Sequence, residues 1–122
     1  MKTRNFRDLE IWQKAMALTH QIYKATKTFP KDEMFGLTSQ LKRAAISIPS
    51  NIAEGRGRLS DRAFLIFIGH ARGSLYEVET QIELAHGLGY LDDAQAKEIS
   101  TNCIELGQKL NAFLNKLKED NG

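Results

Sequence analysis

The sequence predicts an all-α fold, an antiparallel up-down-up-down four-helix bundle, and three observations carry that reading. Apolar residues recur at alternating spacings of three and four along most of the chain. Proline, glycine and capping residues interrupt this period at short breaks, leaving four long segments. No stretch alternates apolar and polar residues with the period of two that a half-buried strand needs. Breaks this short favour antiparallel neighbours. With 122 residues the chain fits one domain, residues 1–122.

The first segment runs from about Arg7 to Thr28, and Pro30 stops it. Ile11, Ala15, Leu18, Ile22, Ala25 and Phe29 form one seam, and Leu9, Trp12, Met16, Thr19 and Tyr23 form a second beside it. Together they exceed the stripe of about 100° that a core-facing helix requires. The second segment spans about Asp32 to Glu54, with Asp32 as its expected N-cap and Gly55 and Gly57 as its stop. Leu41, Ala44, Ala45, Ile48 and Ile52 hold a helical period straight across Pro49. A proline there removes one backbone donor and costs about 3 kcal/mol in an isolated helix, so tertiary packing has to hold the segment. Ser47 and Ser50 are the expected partners for the backbone groups it frees.

The third segment opens at Ser60 or Asp61 and ends at His86, before Gly87 and Gly89. Phe64, Ile68, Ala71, Leu75, Val78, Ile82 and Ala85 line its seam, while Leu65 and Ile66 point away from it. Gly69 and Gly73, four apart, predict close approach of a neighbouring backbone. The fourth segment starts at Asp92, with Gln95 completing a capping box. Ile99, Cys103, Leu106, Leu110, Phe113 and Leu117 form its seam.

Composition excludes several classes of function. No apolar run approaches the roughly 18 residues of a membrane span, and the charged start lacks the apolar core of a secretion signal. Cys103 is the single cysteine, so no internal disulfide exists and a reducing cytoplasm is the expected compartment. Glu83 and His86 make one Glu-x-x-His, but a di-iron bundle needs that motif on two helices and glutamates from two others. Cys103 sits on an apolar seam with no cationic helical neighbour, which reads as a structural thiol. Gly55-Arg56-Gly57 ends a helix and lacks the Lys-Ser/Thr of a phosphate loop. The chain is therefore expected to carry no catalytic residue, no metal ligand and no cofactor. Arg72, mid-helix among apolar residues, reads as a structural partner of Glu54, Glu77 or Glu79.

Two positive signals remain. Residues 1–62 carry twelve lysines and arginines against six acids, whereas residues 63–122 carry five against nine. That polarity reads either as a basic surface for an anionic partner or as two halves that complement each other in antiparallel packing. Arg56, Arg58 and Arg62 crowd the break between the second and third segments, with Lys42 and Arg43 a few turns earlier and Arg4 and Arg7 at the chain start. Arginine suits phosphate through bidentate hydrogen bonds. The second signal is surplus apolar surface: Trp12, Met16, Leu65 and Ile66 lie off the main seams and predict homo-oligomerisation through the outer faces of the first and third helices.

Ordered motifs over nearly the whole chain then suggest a family. They are Phe6-Arg7-Asp8-Leu9-Glu10-Ile11-Trp12-Gln13-Lys14-Ala15, Leu37-Thr38-Ser39-Gln40-Leu41, Arg43-Ala44-Ala45-Ile46-Ser47-Ile48-Pro49 and Asn51-Ile52-Ala53-Glu54-Gly55. Gly73-Ser74-Leu75, Glu79-Thr80-Gln81 and Leu88-Gly89-Tyr90-Leu91 complete the set. The chain resembles the four-helix-bundle proteins of the 23S ribosomal RNA intervening-sequence family, which includes relatives of the accessory variability determinant of diversity-generating retroelements. The resemblance implies a homopentameric ring without catalytic activity, and one relative is similar to a basic nucleic-acid-binding ring that works with a reverse transcriptase. The expected function is a non-enzymatic oligomer that contacts RNA or DNA through its basic surface. A scaffold that docks another protein, its arginines only solubilising, is the alternative.

Overall fold

Among the described residues four α-helices build the fold: α1 Glu10–Thr26, α2 Leu37–Arg56, α3 Asp61–Gly87 and α4 Asp93–Asn121. The computed structural model describes residues 5–121, with the backbone alone at Asn121, and contains no strand among them. α1 packs on α2 and α4, and α3 packs on the same two, with no close approach across either diagonal. Residues that meet across each seam descend on one helix as they ascend on the next. Thr19 meets Ala45 and Tyr23 meets Lys42 between α1 and α2. Ser47 meets Ser74 and Gly55 meets Phe67 between α2 and α3. Lys14 meets Glu105 and Gln21 meets Asn102 between α1 and α4. Arg72 meets Asn111 and Phe64 meets Phe113 between α3 and α4. The predicted seams fill the centre, where Ile22, Leu41, Ile48, Ile68, Leu75 and Leu106 are all but completely buried.

The helix ends show which local signals were used. Asp92 and Gln95 form the expected box: Gln95 N–H donates to Asp92 Oδ1 at 2.8 Å, and Asp92 N–H to Gln95 Oε1 at 3.1 Å. α3 closes on a Schellman motif, with Tyr90 N–H on Ala85 O at 2.9 Å and Gly89 N–H on His86 O at 3.0 Å. Gly89 takes φ +80, the left-handed region where a side chain is strained.

Two starts differ from expectation. α1 begins at Glu10, after a 3-10 turn at Phe6–Asp8 and extended backbone at Leu9 that sinks Leu9 into the core. α2 begins five residues later than expected, because Lys31–Glu33 forms its own 3-10 turn and Asp32 caps nothing. Glu33 takes that task from outside the helix: its Oε1 accepts Leu37 N–H at 3.0 Å, and Tyr90 donates its hydroxyl to Oε2 at 2.9 Å. The Leu37 amide, then the Tyr90 hydroxyl, hold this carboxyl below its ordinary range, and the same bond pushes Tyr90 up. The α1–α2 and α3–α4 connections are thereby tied together at one end of the bundle.

Pro49 sits inside an unbroken α2. The carbonyl left without its usual donor is that of Ala45, and Thr19 on α1 donates its hydroxyl to it at 3.1 Å, shared with Ala15 O at 2.8 Å. Ser47, expected to serve the proline, instead bonds Ser74 Oγ on α3 at 2.8 Å and receives Asn51 Nδ2 at 2.9 Å. The freed carbonyl faces α1, and a donor on the neighbouring helix reached it.

Candidate functional site

The arginine end is assembled from both ends of the first half of the chain. Because α1 runs antiparallel to α2, the turn carrying Arg7 packs against α2, and so lies on the same end of the bundle as Arg56, Arg58 and Arg62. Arg62 is exposed in the first turn of α3, and Arg56 is half-buried in the last turn of α2. Arg58 is held in place: its Nη2 lies 2.6 Å from Glu54 Oε2 and its guanidinium sits 4.6 Å over the Phe67 ring. Arg7 stacks at 4.5 Å on Phe6 and donates Nη1 to Asn5 Oδ1 at 3.2 Å. Ser60 caps α3, accepting Ala63 N–H at 3.1 Å, so the positive pole of a 27-residue helix opens among these cations. Leu59, between them, is fully exposed.

The fold does not bring every predicted cation to this end. Lys42 and Arg43 stand thirteen or more residues up α2 from Arg56, about 20 Å at 1.5 Å per residue, and Lys42 lies 4.8 Å over the Tyr23 ring. Arg4 falls outside the described residues. Arg72 bonds Asn111 Oδ1 on α4 at 3.0 Å rather than an acid of α2 or α3. Asp8, Glu54 and Asp61 are interleaved with the arginines, which dilutes the positive field at the tip.

The surplus apolar residues divide into two faces. Trp12 and Met16 are half-buried and line an open groove of about 490 Å³ between α1 and α2, with Thr19, His20, Tyr23, Ile46, Pro49, Ser50 and Ala53. Trp12 also meets Phe6 edge-on, with centroids 5.3 Å apart. Leu65 is half-buried against the core, whereas Ile66 is 52% exposed on the outer side of α3. Ile46 and Pro49 were missed as groove residues, although Lys42, Ile46, Pro49 and Ala53 repeat at helical spacing beside the main α2 seam.

Between α3 and α4 a second furrow, of about 520 Å³, contains Glu79, Glu83, His86, Asp93 and Cys103. Burial, then Glu83, raises the carboxyl of Glu79. Burial, then Glu79, pushes the Cys103 thiol up to about 12, which removes it as a nucleophile near neutrality. His86 Nε2 lies 2.6 Å from Asp93 Oδ1. Among the described residues no three His, Cys, Asp or Glu side chains are grouped to hold a metal ion, and no helix is long and apolar enough to cross a membrane.

The family model for the 23S rRNA-intervening sequence protein matches residues 7–112, from the stacked Arg7 to the last turns of α4. The chain belongs to that family. A crystal structure of a protein of unknown function from the S23 ribosomal protein family of Bacteroides thetaiotaomicron VPI-5482 superposes with a TM-score of 0.79, covering 85% of this chain and 97% of that one. At 22% identity it supports the bundle alone. No curated protein matches this member of the 23S rRNA-intervening sequence family.

Proposed function

We propose that this protein is a non-catalytic, self-associating bundle that contacts RNA or DNA through its arginine end. One observation carries the reading: antiparallel packing puts Arg7 on the same end of the bundle as Arg56, Arg58 and Arg62, and the last three flank the N-terminus of α3. Guanidinium groups and free helix N–H groups both bind phosphate, and they reinforce one another at one spot. A single tip with interleaved acids offers few phosphate contacts. Several copies with aligned tips multiply them, and affinity grows with the phosphates neutralised. The family resemblance implies five copies, and the apolar α1/α2 groove and exposed Ile66 supply surface for such an assembly.

Titration with mixed-sequence RNA at low and moderate salt tests this. Binding is expected at low salt, with a logarithmic salt slope that falls by about one for each phosphate contact removed. The Arg56→Ala, Arg58→Ala, Arg62→Ala triple variant is expected to lose it, with a thermal melt to check that the α2–α3 junction is intact. No binding of the wild-type chain at low salt, where such contacts are strongest, rejects the reading. Exposed Leu59 and the interleaved acids favour a protein-docking scaffold in that event.

A further inference from the structure

We propose that the furrow between α3 and α4 docks a basic amphipathic helix of a partner protein, apolar over one half of its length and cationic over the other. The furrow lies apart from the arginine end and shares no residue with the apolar groove between α1 and α2. Neither RNA binding nor self-association bears on it.

The shape suits a helix. Glu79, Glu83 and His86 follow one another at spacings of four and three along α3, and Asp93, Lys97, Ser100 and Ile104 at four, three and four along α4. These rows form the two banks. Between them the floor is apolar: Ile82 and Cys103 are buried and Ala96 is half-buried. Arg72 meets Asn111 and His86 meets Asp93 across the same seam, which sets Tyr76 about level with Ile104 at the mid-helix mouth. Both are half in solvent, Tyr76 at 51% and Ile104 at 53%. From Tyr76 to His86 α3 rises about 15 Å, nearly three turns of a docked helix. A trough between antiparallel helices receives a third helix along its apolar stripe.

Charge says what kind of helix. Glu79, Glu83 and Asp93 all stand toward the α3–α4 connection, away from Tyr76 and Ile104. Glu79 and Glu83 are like charges one turn apart, which destabilises a helix. Among the described residues no ion pair engages either of them. Burial, then Glu83, already holds the Glu79 carboxyl above its ordinary range. The free chain thus carries an electrostatic cost that nothing in its own fold relieves, while Lys97 is the single lysine on the banks. An ammonium or guanidinium from outside removes that cost, and aliphatic side chains beside it cover Ile104 and Tyr76. A nucleic-acid backbone would be repelled by the same carboxylates. Sites that weaken the free fold and are relieved by a ligand are where stability is traded for binding.

Fluorescence anisotropy with a labelled peptide tests this. The probe is an amphipathic helix of about 15 residues, with leucines along one stripe in its first half and lysines in its second. Wild type is expected to bind it at micromolar concentration, and a scrambled peptide of the same composition at least about tenfold more weakly. The Glu79→Gln, Glu83→Gln double variant is expected to lose about tenfold in affinity while melting no lower than wild type. Ile104→Asn, at an exposed site, is expected to weaken binding without loss of fold; should it unfold, the glutamate variants still decide. Glu98→Gln removes the same charge on the α1 side of α4 and is expected to leave affinity unchanged. Absence of binding, equal binding of the scrambled peptide, or equal loss in Glu98→Gln overturns the proposal. Displacement of the peptide by an equal concentration of spermidine also overturns it, because the furrow would then be a site for free amines.

Discussion

Thr19 and Glu33 each repair a backbone defect from a distance. Thr19 shares one hydroxyl proton between Ala15 O and the Ala45 carbonyl that Pro49 leaves open. Thr19→Val keeps the shape and removes the donor, and an unsatisfied part-buried carbonyl costs about 1–3 kcal/mol. Urea unfolding should show that loss, and a double variant with Pro49→Ala, which returns the N–H of residue 49, should lose less. Glu33 and Glu79 predict opposite pH behaviour. The folded state holds Glu33 below its ordinary 4.5, so its contribution is present above that value and disappears as pH falls through the lowered value. Glu79 is raised above 4.5 by burial, so its cost is complete above the raised value and absent in acid. Glu33→Gln is therefore expected to destabilise at pH 7, an effect lost only as pH falls below 4.5 through the lowered value, and Glu79→Gln to stabilise, an effect lost as pH falls from the raised value to 4.5. Denaturant midpoints measured across pH check the pair.

At the scale of elements, spacing between α2 and α3 depends on Gly55. A Cβ there would lie 2.6 Å from Phe67 Cβ and 3.0 Å from Phe64 Cδ1. Phe67 Cβ is fixed to its backbone, so the helices would have to part, and Gly55→Ala is expected to cost about 1–3 kcal/mol despite alanine's better helix propensity. A melting temperature below wild type checks it. The sequence marked Gly55 only as a stop signal, because a one-dimensional pattern contains no interhelical distance. The seams of all four helices were legible, since 3.6-residue periodicity is local. The start of α2 was not: Asp32 had the right residue type, but the cap came from Glu33, which Tyr90 holds in place from another connection.

For the whole molecule, the question is what the unlike faces are for. The basic and acidic halves are only partly consumed in folding. Lys14 pairs with Glu105 across α1 and α4, but Lys109 pairs with Glu10 in the opposite sense, and Arg58 pairs with Glu54 inside its own half. Much of the charge polarity thus stays outward, the basic part on α1 and α2 and the acidic part on α3 and α4. Gly69→Ala and Gly73→Ala separate folding from assembly. Neither Cβ meets anything in the chain, so each is expected to stabilise the folded protomer by up to about 1 kcal/mol from helix propensity. The same added methyls crowd the outer face of α3 and should weaken self-association through it. Melting of a dilute, monomeric sample together with sedimentation at higher concentration checks both halves of that expectation.

Helix number, helix faces and most caps followed from the sequence alone, because burial period and capping chemistry act between residues a few positions apart. The convergence of Arg7 with Arg56, Arg58 and Arg62, the separation of Lys42 and Arg43 from them, and the groove completed by Ile46 and Pro49 were settled only by tertiary structure. Those relations depend on which helix lies beside which and at what height, and the antiparallel packing of α1 on α2 fixes both at once.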